Sequence, residues 1–327
     1  MSSIAISADG AWLATGSYEQ VRIWDRATGR CTATLTGHTG WVNSVVISSD
    51  SAWLATGSYE QVRIWDRVTG ACTATLTGHT GWVNSVVISP DGTWLATSSH
   101  DKKVRIWDRA TGRCTATLTG HTRLVSSVVI SPDGTWLATS SHDKKVRIWD
   151  RATGRCTATL TGHTGWVRSV VISPDGTWLA TGGNDRTVRI WDVGTRACTA
   201  ILTGHTGGLT GSVSSVVISP DGTWLASSDD WTVRIWDVGT RACTAILTGL
   251  AGRVSSVVIS PDGTWLAATT SGDGTVRIWD AVRGSTETFM RTEGGLSGCA
   301  WTPDSRSLGV GGRRGVYLFE LLRETPG

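Results

Sequence analysis

The stretch "SVVISPDGTWLATSSHDKKVRIWDRATGRCTATLTGHT" occupies Ser85–Thr122 and returns letter for letter as Ser127–Thr164. A catalytic constellation occurs once in a chain, whereas a verbatim copy is a building block, so this stretch decides the fold. It reads as four short apolar runs. "SVVIS" ends at Pro-Asp-Gly, where proline presets φ and glycine accepts positive φ. "TWLATSS" passes through the tight turn "HDKK" into "VRIWD", and "RATGR" turns into "CTATL". Each run is rich in Val, Ile, Thr and Trp and is bounded by turn residues, which predicts four strands per unit.

The unit recurs along the whole chain. Trp-Asp stands at Trp24, Trp65, Trp107, Trp149, Trp191, Trp236 and Trp279, at intervals of 41, 42, 42, 42, 45 and 43 residues. A degenerate eighth unit ends in "GVYLFE", with Phe319-Glu320 in the Trp-Asp place. Eight units, roughly 1–37, 38–78, 79–120, 121–162, 163–204, 205–249, 250–292 and 293–327, fill the 327 residues as one domain. The chain opens in mid-pattern on a first strand, which suggests a portion of a longer protein.

Composition agrees with strands and turns. Trp is abundant at 19 and Gly at 40, and the runs of Glu, Lys and Leu that build helices are missing. Charged residues are only 17% and the net charge is +3, which disfavours nucleic acid as a partner. The longest apolar runs fall far short of the ~18 residues of a membrane span, and the N-terminus has no secretory pattern. Six of the seven cysteines recur once per unit, at Cys31, Cys72, Cys114, Cys156, Cys198 and Cys243. That spacing fits neither a zinc pattern nor disulfides. It predicts small buried hydrophobes, and reduced thiols imply the cytoplasm.

A four-stranded sheet with Val104 and Ile106 on one side and Trp107 on the other must bury both faces. Sheets stacked face to face around an axis do so and leave few edges. Gly-His at His38, His79, His121, His163 and His205, with Trp-Asp at this spacing, resembles the WD-repeat β-propeller family over residues 1 to about 320. The expected fold is all-β, with eight blades and the last three-stranded. The alternative is a seven-bladed ring with a divergent extra unit. Ring closure is expected through face packing.

The resemblance implies a hydrogen-bonded tetrad in each repeat. Its members would be His79, Thr97 or Ser99, Asp101 and Trp107, then His121, Thr139 or Ser141, Asp143 and Trp149. His163, Thr181, Asp185 and Trp191 form the third, and His205, Ser227, Asp230 and Trp236 the fourth. Buried imidazoles and indoles need partners, and a carboxylate is a strong one. The first two units carry Glu19 and Glu60 in the aspartate's place, and the seventh keeps Asp273 but has Leu250 for histidine. Those blades are expected to be held by packing.

No catalytic residue, metal or cofactor is expected. A hydrolase triad needs one exposed nucleophile beside an oxyanion hole, whereas Ser/Thr, His and Asp here recur, each set tied to a Trp. His100 and His142 are too few for a closed metal site. "GVGGRRG" (Gly309–Gly315) lacks a phosphate loop's spacing and helix and reads as a turn. The "VRIWD" arginines, Arg22 to Arg277, read as stems laid along tryptophan.

In the family, the fourth-to-first and second-to-third loops share one face of the disc. Here they carry Tyr18, Trp41, Tyr59, Trp82, His100, Leu124, His142, Trp166, Asn184 and Trp231, a candidate partner-binding rim. The insertion Thr206–Ser212 lengthens one of these loops. The chain resembles the C-terminal propellers of prokaryotic multidomain signalling proteins linked to a STAND NTPase or kinase. That implies a non-enzymatic bacterial scaffold or sensor binding protein or peptide on the loop face. Self-association through the open edge of the last blade is the alternative.

Overall fold

The computed structural model describes residues 3–206, 211–250, 252–281, 283–284, 286–312 and 315–321. Among them there is no helix, and the strands pair only with antiparallel neighbours. Blade 4 is typical. Its inner strand Val125–Ile130 is followed outward by Trp136–Ser141, Val146–Asp150 and Cys156–Leu160. Pairing follows chain order in every sheet, as short turns dictate. In each blade with a Trp-Asp, the register slips just before the tryptophan where the third strand meets the fourth, as between Ile148 and Trp149. This bulge re-aims the indole toward the neighbouring blade.

Among the described residues eight blades are present, although they form seven continuous sheets. The long strand Cys72–Ile88 is the outer strand of blade 2 through Thr77 and the inner strand of blade 3 from Val83, so it fuses the two. Blade 8 has three strands among the described residues, Leu296–Trp301, Ser307–Gly312 and Gly315–Glu320. The divergent eighth unit is therefore a blade in the ring.

The core lies between blades. Trp53, Ala55, Val62, Ile64 and Leu76 of blade 2 pack on Val83, Val86, Leu95 and Trp107 of blade 3, all buried. Equivalent layers join each later pair. No blade could be stable alone, because each contributes half of two such layers. Arginines reinforce the earlier joints: Arg67 lies over Trp12 at 4.8 Å, and Arg109 over Trp53 and Arg151 over Trp94 at 4.6 Å. In the later blades Val193, Val238 and Ala281 take the same role. Around the channel, Asn43 Nδ2 donates to Val83 O, Asn84 Nδ2 to Val125 O at 2.7 Å and Ser126 Oγ to Val167 O at 3.0 Å, each bond reaching the next blade.

Blades 8 and 1 meet face to face, with different chemistry. Gly298 and Gly309 leave room for Ile4 and Ile6, where a Cβ at Gly309 would come within 3.1 Å of Ile6. Arg26 donates to Ser307 Oγ at 3.0 Å and pairs with Asp304 at 3.5 Å. This seam is closed by half-buried isoleucines and a partly exposed ion pair.

Candidate functional site

Each tetrad starts from the Gly-His dipeptide. Gly78 has φ +141°, a conformation that L side chains rarely adopt, and Arg105 lies over its open side. His79 then turns inward at 4% exposure. Its Nδ1 is 2.8 Å from Asp101 Oδ2, and its Nε2 is 2.8 Å from Thr97 Oγ1. Trp107 Nε1 donates to the same Thr97 oxygen at 2.9 Å. Burial, outweighing the Asp101 carboxylate, lowers the imidazole's proton affinity. The indole N–H donates to the threonine oxygen, which shares a hydrogen bond with Nε2, while Nδ1 lies within hydrogen-bond reach of both the Asp101 carboxylate and, at 2.7 Å, Arg105 Nη1. Arg105 adds a second donor to Asp101 at 2.8 Å.

Thr97 is thus the hub. Ser99 bonds instead to Gly81 O and accepts from the Asp101 N–H, fixing the turn. Blade 4 repeats the geometry with His121, Thr139, Asp143 and Trp149, and Ser141 again serves the turn. Blade 5 repeats it with His163, Thr181, Asp185 and Trp191. The hub hydroxyls are fully buried and already shared between a ring nitrogen and an indole. The histidine–hydroxyl pairs therefore cement the blades.

The fourth tetrad corrects the sequence expectation. His205 Nδ1 meets Asp229 Oδ2 at 3.0 Å, not Asp230. Counting back from Trp236 selects Asp230, but the hairpin of this blade is one residue shorter: Trp224 pairs with Asp237, against Trp178 with Asp192 in blade 5. Asp229 therefore begins the turn, and its Oδ1 accepts from the N–H groups of Trp231 and Thr232. Asp230 faces the surface cation Arg253 at 3.4 Å.

The first two blades have the same short turn, so Ser17 and Ser58, not Glu19 and Glu60, occupy the carboxylate's position. Glu19 and Glu60 sit at the turn's positive-φ position. The consequence is felt at His38. Its Nε2 lies 2.7 Å from Thr56 Oγ1, and Trp65 donates to Thr56 at 2.8 Å. Its Nδ1 and Ser58 Oγ are both buried without a hydrogen-bond partner among the described residues. In blade 7, Leu250 is buried in the histidine's place, and Asp273 takes hydroxyls from Thr270 and Thr275.

The repeated cysteines also differ from expectation. Cys31, Cys72, Cys114, Cys156, Cys198 and Cys243 are exposed. Radial sheets splay apart with distance from the axis, so neighbouring blades cannot cover the start of the outer strand. Only Cys299, on the inner strand of blade 8, is buried, and burial pushes its thiol up to about 12. A thiol reagent added to the native protein is therefore expected to modify the six repeated cysteines quickly and Cys299 only after denaturation. Peptide mass mapping checks this, and early labelling of Cys299 would contradict it.

The loop-face residues form an arc. Tyr18 packs edge-on against Trp41 with ring centres 5.5 Å apart, and Tyr59 against Trp82 at 5.0 Å. His142 stacks flat on Trp166 at 4.2 Å. Tyr18, Trp41, Tyr59, Trp166 and Trp231 remain exposed at 39–54%. Trp82 and Leu124 are half-buried, and His100 is exposed beside Arg123 and Leu124. Asn184 accepts from Arg168 Nε at 2.6 Å. Burial, then Arg168, His100 and Arg123, lowers the His142 pKa to about 4. Most of the insertion, residues 207–210, lies outside the described residues, as do residues 313–314, while Gly309–Gly312 of the stretch read as a turn instead end the strand Ser307–Gly312. Among the described residues no three His, Cys, Asp or Glu side chains gather to hold a metal, and no helix is long and apolar enough to cross a membrane.

All-β blades stacked on shared apolar layers and pinned by His-Ser/Thr-Asp-Trp tetrads define a WD-repeat propeller. Seven stretches, 1–25, 29–66, 70–108, 112–150, 154–192, 196–237 and 241–280, match the WD domain, G-beta repeat, and the chain belongs to that family. The match 29–66 carries the outer strand of blade 1 and three strands of blade 2, so the sequence repeat straddles two blades. Repeats of this family generally mediate protein interactions as scaffolds. No curated protein matches the chain.

Proposed function

We propose that the chain is a non-enzymatic scaffold or sensor that binds a protein or peptide on its loop face. The supporting observation is the aromatic arc: large rings held at 39–54% exposure by partner rings and by loop backbone pairing, as between Tyr18 and Trp41. Rigid, half-exposed Trp and Tyr are anchors for protein interfaces. We further propose a bacterial, cytoplasmic setting as the sensor portion of a STAND NTPase- or kinase-linked signalling protein. Six exposed unpaired thiols suit a reducing compartment.

The test is capture of a co-purifying partner by the native chain and by the Trp41→Ala, Trp82→Ala, Trp166→Ala triple variant. The variant is expected to lose the partner. Retained capture removes the rim from the reading. Self-association is the second reading, because among the described residues the outer edge of Gly315–Glu320 has no strand beside it. Native mass spectrometry decides it: a defined oligomer supports it and a stable monomer rejects it.

A further inference from the structure

We propose that the loop face over blades 3 to 7 seats an acidic peptide, with one carboxylate held between Arg168 and Arg253 beside Trp166. This deepens, and rests on, the reading of the loop face as the partner surface.

Near-identical repeats make departures informative. At the top of the inner strand the chain places Asn43, Asn84, Ser126, Ser214 and Ser255, all small and polar. Asn43, Asn84 and Ser126 use that position to bond to the next blade, and Ser214 and Ser255 to bond to the neighbouring strand of their own. Arg168 stands in the same column and does not follow them. Its Nε donates to Asn184, and its guanidinium carbon lies 5.9 Å from the Trp166 ring centre. An asparagine or serine would serve the joint, so the arginine's length and charge are not needed to hold blades together. Arg253 is a second departure. It is the one cation in the column Trp41, Trp82, Leu124, Trp166, Ser212 and Arg253, and its side chain is 55% exposed.

Burial and then Arg253 lower the proton affinity of Arg168, while Asp230 opposes them. Asp230 pairs with Arg253 at 3.4 Å. A second carboxylate supplied from outside would offset the repulsion and gain charge-assisted bonds. The Trp166 face, backed by His142, offers apolar cover for the stem that carries it.

The wider face has matching polarity. The positive-φ position of the second-to-third turn holds Glu19 and Glu60 in blades 1 and 2 but Lys102, Lys144 and Arg186 in blades 3 to 5. Arg123 adds to the cationic side, while the aspartates beneath it, Asp101, Asp143 and Asp185, are taken by buried histidines. A segment with spaced carboxylates complements blades 3 to 7 and is repelled from blades 1 and 2, which fixes its direction.

Fluorescence anisotropy with a fluorescein-labelled Glu-Gly repeat peptide tests this, against the Gln-Gly peptide and labelled oligothymidylate. The Glu-Gly peptide is expected to bind, more weakly as salt rises, and the controls are not. Arg168→Ser places there the residue that blade 4 already uses, so the fold is kept, as an unchanged thermal midpoint verifies. It is expected to weaken binding by about tenfold. Absent Glu-Gly binding, equal Gln-Gly binding, tighter oligothymidylate binding or an indifferent Arg168→Ser variant would each overturn the seat. If the seat fails while the tryptophan triple variant still loses its partner, only this inference falls. Loss of both rejects the loop face itself.

Discussion

Replacing Trp107 with alanine is expected to lower the unfolding free energy by about 3–5 kcal/mol. The indole is 1% exposed and lies in the layer between blades 2 and 3, among Ile64, Leu76, Val83 and Leu95. Its removal opens a cavity that rigid sheets on both sides cannot fill. It also takes the N–H donor from Thr97 Oγ1, leaving a buried hydroxyl with one partner fewer. The repeat provides its own control. Trp24 bonds to Thr15 at 2.9 Å in the same way, yet it is half-buried at the seam where blade 1 meets blade 8. Trp24→Ala should cost less than half as much. The midpoint of urea unfolding for the two variants measures the difference, and equal losses would refute the claim that stability resides in the layers between blades.

The contrast between these tryptophans shows what the sequence could reveal. Periodicity gives the strands, because every unit has the same alternation and the same turn residues. It gives the ring, because no four-stranded sheet with two apolar faces can stand alone. The tetrads were legible wherever the hairpin kept one length, as at His79, His121 and His163. They became illegible where the length changed. Asp229 and Asp230 are adjacent carboxylates, and only the strand register, Ser228 against Val233, decides which meets His205. The same shift hid the role of Ser58. The cysteines were misread for a different reason. Residue type says that a thiol packs well, but the outer strand pattern, exposed through Cys114 and Thr115 and buried only by Leu118, depends on how far the blades splay. The cationic departures Arg168 and Arg253 were visible in the sequence, yet only the fold shows that one leans on Asn184 and Trp166 and the other pairs with Asp230.

Ser58 leads to the second large effect. The folded protein is expected to lose about 3 kcal/mol as the pH falls from about 6.5 to about 4, through His38 alone. Burial, and then the Arg63 charge, lower its pKa from 6.5 to about 4. The unfolded chain therefore takes up a proton in that window while the folded chain does not, and protonation pulls toward unfolding. The tetrad aspartates act in another window. Burial would raise Asp101, Asp185 and Asp229, but the histidine hydrogen bonds prevail and hold them well below the usual carboxylate range. Their contribution is complete above the ordinary carboxylate pKa near 3.8 and fades only as the pH falls below it. His79 is lowered in the same direction as His38, but Asp101 moderates it. His142, lowered to about 4 by burial and its cationic neighbours, acts in the same window, so His38→Gln should reduce the stability slope between pH 6.5 and 4 without abolishing it and leave the acid limb unchanged. Ser58→Asp should flatten it differently. Ser58 and Asp229 open equivalent turns, each closed by its N–H to the residue three ahead at 3.0 Å. A carboxylate at position 58 would meet His38 Nδ1 as Asp229 meets His205, and at pH 7 it should add about 1–2 kcal/mol. Urea midpoints across that pH range measure both variants. A wild-type slope that persists undiminished in His38→Gln would assign the acid sensitivity elsewhere, and a Ser58→Asp variant less stable at pH 7 would show that the shorter turn cannot present a carboxylate to the ring.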